Sequence, residues 1–108
     1  MSSFTPTPET LQQFKDVLIE SLDLDAGDNQ IANFIFGQGV KFDDFGADSI
    51  TRFEAINALE DSFDVTLDDE AITPAKNLDD VLWLIAYMIE ETSEVPSFLA
   101  GTGVTPKR

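Results

Sequence analysis

The sequence predicts an all-α fold, a helical bundle of three long helices and one or two short ones, on three observations. Apolar residues recur at three- and four-residue spacing in several separate stretches. No stretch alternates apolar with polar residues as a half-buried strand would, and glycine or proline punctuates the stretches between. With 108 residues, 43% of them hydrophobic, the chain is expected to form one domain around one modest core. That domain is expected over 8–92, between a flexible leader at 1–7 and a disordered, flexible tail at 93–108.

Thr7-Pro8 reads as an N-cap followed by proline at the first helical position. Leu11, Phe14, Val17, Leu18 and Leu22 then mark one face, with Gln12, Gln13, Lys15, Asp16 and Glu20 on the other, which predicts an amphipathic helix ending near Leu22. Residues 23–46 form a long first connection broken by Gly27, Gly37, Gly39 and Gly46. Its apolar patch at Ile31, Phe34, Ile35 and Phe36 predicts a short extra helix over 29–36 and packing onto the core.

Asp48 is placed to cap a second helix over Ser49–Phe63, with Ile50, Phe53, Ile56, Leu59 and Phe63 as its expected buried stripe. Asp68 to Ile72 predicts a single helical turn, closed by Pro74, which disfavours helical geometry at Thr73. Asn77 with Asp80 approximates a capping box for a last helix to about Glu91, whose stripe is Leu78, Val81, Leu82, Ile85, Met88 and Ile89. Beyond it, Pro96, Gly101, Gly103 and Pro106 leave a tail without periodicity around a small Phe98-Leu99-Ala100 patch.

Composition removes whole classes of chemistry. Without cysteine there is no disulfide or thiolate metal site, and without histidine neither the usual zinc ligand nor an imidazole base for a nucleophile. The longest clean apolar run, Val81 to Ile89, is far short of the roughly 18 to 20 residues of a membrane span. The first residues lack the basic and apolar regions of a secretory signal, so a cytoplasmic protein is expected. A net charge of −15 repels nucleic acid and anionic membrane surfaces and favours partners with basic patches, although the same charge also serves solubility.

The segment with chemistry is Asp44-Phe45-Gly46-Ala47-Asp48-Ser49-Ile50. It puts a serine hydroxyl at a helix start, where unpaired N–H groups and the positive end of the helix dipole stabilise an anion such as an esterified phosphate. Taken alone, a serine there is more often a plain helix cap.

Phe45-Gly46-Ala47-Asp48-Ser49-Ile50, then Glu54, Ala58-Leu59-Glu60 and Phe63, resemble the acyl carrier protein family, whose attachment motif is Gly-Ala/Gly-Asp-Ser-Leu/Ile before an acidic helix. Asp64 to Leu67, Asp69-Glu70-Ala71-Ile72 and 77–91 extend the likeness over most of residues 8–91. The resemblance implies a four-helix bundle and a carrier without catalytic residues of its own, modified at Ser49 with 4′-phosphopantetheine from coenzyme A by a phosphopantetheinyl transferase. The arm would hold acyl groups as thioesters for acyl-carrier synthetases or synthases of fatty acid or related lipid synthesis.

Asp48 would assist that transferase, which brings its own magnesium and general base. Ile50, Glu54, Glu60 and Asp61 match positions that meet partner enzymes, the acids through Lys and Arg. As single residues these acids equally suit a solvated helix face. The family's interhelical core also opens to sheathe an acyl chain. A longer connection before the motif, Arg52 and Asn57 in the recognition helix, and a tail are departures that imply a specialised carrier with altered docking, and the resemblance leads us to expect a bacterial, monomeric one.

An aminoacyl or polyketide carrier shares the same serine and arm, and an unmodified acidic interaction module is the reading from another class. Calcium loops fail by residue: from Asp23 the glycine falls at position five and Phe34 at the closing position, and from Asp43 the third, fifth and sixth positions are Phe45, Ala47 and Asp48. A glycosidase-like carboxylate pair has little room for a sugar cleft in so small a helical chain.

Overall fold

The computed structural model describes residues 4–22, 34, 36–46, 48–75, 77–99 and 101–103. Four α-helices and no strand occur among them: α1 (Pro8–Ser21), α2 (Ser49–Phe63), the single turn α3 (Asp69–Ile72) and α4 (Leu78–Met88). Short 3-10 turns stand at Phe42–Phe45, ahead of α2, and at Ser97–Leu99, after α4.

The helix starts follow local chemistry. The Thr7 hydroxyl accepts the Thr10 N–H ahead of Pro8, and Asn77 Oδ1 accepts the Asp80 N–H at 2.9 Å. Each such cap stabilises its helix by about 1 kcal/mol. The helix ends fall within a few residues of the expected ones, α4 stopping at Met88 where about Glu91 was expected, with Glu90 in a left-handed conformation just beyond.

The core is built from Phe14 and Leu18 of α1, Ala55, Ile56 and Leu59 of α2, Ala71 and Ile72 of α3, and Leu78, Val81, Leu82, Leu84 and Ile85 of α4. α1 packs against α2 and α4, and Gln13 near its start donates to the Ser62 carbonyl near the end of α2 at 2.9 Å. From the long connection, Phe34 is fully buried with its ring 6.1 Å from Phe14, and Phe36 packs at the core's edge. Most of the extra helix expected over 29–36, with Ile31 and Ile35, lies outside the described residues.

Two segments expected to stand apart from the bundle pack onto it instead. In the expected tail, Pro96 is buried and Leu99 is only 2% exposed within the main core, because an apolar side chain needs no helical period to leave water. The Trp83 indole N–H donates to the Glu94 carbonyl at 3.1 Å. In the expected leader, Phe4 stacks on Trp83 at 5.6 Å and meets Phe36 edge-on at 5.3 Å. Glu91 fastens this corner by accepting the Thr7 N–H at 2.7 Å and the Thr10 hydroxyl.

Candidate functional site

The approach to Ser49 is a tightly bonded loop. Asp44 accepts the Lys41 N–H at 3.0 Å, starting the 3-10 turn, and Gly46 ends it at φ 73°, a left-handed conformation that glycine adopts without steric cost. Farther back, the N–H groups of Gly37 and Gly39 donate to the two carboxylate oxygens of Asp79, and Leu78 N–H donates to Val40 O at 2.7 Å. The loop is thereby pinned to the start of α4.

Asp48 then caps α2, accepting the Thr51 N–H at 2.8 Å. That bond favours the charged carboxylate and holds its pKa below the ordinary value. Ser49 follows as the first helical residue and is exposed. Because Asp48 performs the capping, the Ser49 hydroxyl is not needed for it. The hydroxyl stands at the positive end of a fifteen-residue helix, in the electrostatic setting a phosphodiester requires.

A groove of about 420 Å³ leads away from Ser49 between α2 and α3. Its α2 wall is one helical stripe, Ser49, Phe53, Ile56 and Glu60, flanked by Arg52 and Asn57, and Leu67, Asp69, Ile72 and Thr73 form the other wall. Ser49 stands in the lining of this groove. These residues therefore suit the phosphopantetheine group that the motif implies, with an anion-stabilising helix start for its phosphate and a trough for its length.

The other candidate residues divide between two faces. Glu60 is half-buried on the groove side, where its carboxylate accepts the Leu67 N–H at 2.8 Å. Glu54 and Asp61 are exposed beside a shallow depression against α1 that includes Val17 and Glu20.

Ile50 and Phe53 correct the expected buried stripe, being 70% and 63% exposed. Ile50 is in the opening turn and Phe53 on the groove side, whereas Ala55, Ile56 and Leu59 face the core. For Ile50 this is the exposure that its expected partner role requires.

Arg52 is corrected as well. It does not stand out on an acidic docking face but turns back, donating from Nη2 to the carbonyls of Ile72 at 3.2 Å and Ala75 at 2.6 Å, with its guanidinium 5.7 Å from the Phe42 ring centroid. Sequence reasoning also passed over Asp79. Its position in the first turn of α4 is ordinary for an acid, and only the paired glycines forty residues earlier hint at a second use.

The chain is similar to known proteins over much of its length. Residues 12–82 match the family described as "Phosphopantetheine attachment site". The chain is 33% identical over 81 residues to the acyl carrier protein of Clostridium acetobutylicum, covering 74% of this chain and 96% of that one. No solved structure matches significantly.

Proposed function

Since the chain belongs to the acyl carrier protein family, whose members carry covalent 4′-phosphopantetheine, we propose that Ser49 is the attachment residue and that the protein presents acyl groups to enzymes of fatty acid or related lipid synthesis. The observation that carries this reading is an exposed Ser49 at the first position of α2, relieved of capping by Asp48 and opening onto the groove. When bound, the arm supplies a terminal thiol on which acyl groups ride as thioesters.

The chain's own part is to offer one hydroxyl, to stabilise the phosphate through the helix start, and to shelter the arm along α2. Asp48 keeps the helix start rigid for the phosphopantetheinyl transferase. Ile50 supplies an apolar contact for partner enzymes, and Glu54, Glu60 and Asp61 supply charge for their basic patches. The protein works as a cytoplasmic monomer without catalytic residues. Among the described residues, Ile50, Phe53 and Val95 are the exposed large apolar side chains, and no described helix is long and apolar enough to cross a membrane.

Intact-protein mass after incubation with coenzyme A, magnesium and a broad-specificity transferase tests the reading. One phosphopantetheine on the native chain and none on Ser49→Ala is the expected result. A folded native chain that gains no mass with several transferases overturns it in favour of an unmodified interaction module.

A further inference from the structure

Arg52 spans the seam between α2 and the chain leaving α3. Ile72, whose carbonyl it binds, is the last residue of α3, and helix ends leave carbonyls in want of donors. The Ala75 bond, at 2.6 Å, ties down the connection that follows. A guanidinium suits both places, since its Nη2 carries two N–H donors and its charge strengthens each bond to a carbonyl.

The groove that Arg52 helps to line is a poor home for a long alkyl chain. Apolar Phe53, Ile56 and Ile72 share its lining with Asn57, Glu60 and Asp69, and covering those polar groups with hydrocarbon costs their hydration. The core that α2 and α3 share is packed, with Leu59, Ala71 and Ala75 fully buried. An alkyl chain gains in proportion to the area it takes out of water. Here that gain requires α3 to part from α2, across the seam that Arg52 holds.

We infer that Arg52 is a latch holding α3 against α2, and that the cargo carried from Ser49 is a short or polar acyl group lying in the open groove instead of a long alkyl chain inside the bundle. The cargo half of this inference rests on the carrier reading above. Arg52 is a specificity-determining residue in this scheme, acting through the space it denies.

The test loads the native chain, Arg52→Met and Arg52→Lys from butyryl-, octanoyl- and dodecanoyl-coenzyme A, verifies loading by intact mass, and follows thioester cleavage by neutral hydroxylamine. On the native chain the three thioesters are cleaved within about twofold of one another. On Arg52→Met, freed of two charge-assisted bonds, the octanoyl and dodecanoyl thioesters are protected about tenfold relative to butyryl. Arg52→Lys, which keeps the charge and loses the fork, falls between. Native protection of the dodecanoyl thioester equal to that of Arg52→Met overturns the inference.

Hydrogen exchange on the unloaded proteins reads the latch separately. The amides of Ile72, Thr73 and Ala75 exchange about tenfold faster in Arg52→Met, and about threefold faster in Arg52→Lys, which serves should the methionine variant not fold. Unchanged exchange sinks the latch. A native chain that accepts no acyl arm instead sinks the carrier reading, and the cargo half with it, while exchange still decides the latch.

Discussion

Gly39 donates its backbone N–H to Asp79 Oδ2 at 2.6 Å, while Gly37 donates to Oδ1 of the same carboxylate at 2.9 Å. One side chain at the start of α4 thus holds the loop that leads to Ser49. Asp79→Ala is expected to lower stability by about 1 kcal/mol, since these exposed amides recover water when the carboxylate is gone. Asp79→Asn, keeping one acceptor, is expected to lose less. Urea midpoints for the three proteins measure both.

Ser49→Ala is expected to abolish modification and to change stability by less than about 0.5 kcal/mol, because an exposed side chain is lost while the Asp48 cap stays. Mass spectrometry and urea titration of the same samples check the two halves.

Asp48 gives the site a defined response to acid. Its pKa is depressed in the folded chain by the Thr51 N–H, so its stabilisation is fully present above the ordinary carboxylate value and is lost as pH falls through the depressed one. Asp48→Asn still caps the helix but does not titrate. Below about pH 4 its thermal midpoint should therefore fall less steeply than that of the native chain.

Leu99→Ala is expected to cost about 2 kcal/mol, as for a leucine removed from a filled core, and a separate tail would show no loss. Phe4→Ala should move the emission of Trp83, the chain's single tryptophan, to longer wavelength as water reaches the ring. An unmoved spectrum would mean that Phe4 does not shield the indole in solution.

With a net charge of −15, encounter with a basic transferase is expected to be steered electrostatically. The second-order rate of pantetheine transfer should fall several-fold between about 0.05 M and about 0.5 M salt as the charges are screened. A rate indifferent to salt would leave the acids of α2 as a solvated face.

The helices and the position of Ser49 at a helix start were legible because they rest on local rules. Thr7-Pro8, Asp48 and Asn77 start helices through side chains that reach only three residues ahead. Ile50 and Phe53 were misread because an apolar spacing shows that residues share a face and not which face the rest of the chain covers. Arg52 escaped for a related reason. Its acceptors are backbone carbonyls twenty and twenty-three residues away, and a carbonyl has no letter in the sequence. Leu99 lies in a 3-10 turn too short to show a period.

The Glu91 clasp bears on how fast the chain folds and unfolds. Its bond to Thr7 joins residues 84 apart, and the entropy of closing so long a loop delays the contact until the helices between have docked. A contact made after the rate-limiting step leaves the folding rate almost untouched and acts on the reverse reaction. Glu91→Gln should therefore shorten the lifetime of the native state, raising the unfolding arm of a chevron plot with its slope unchanged while the folding arm stays in place.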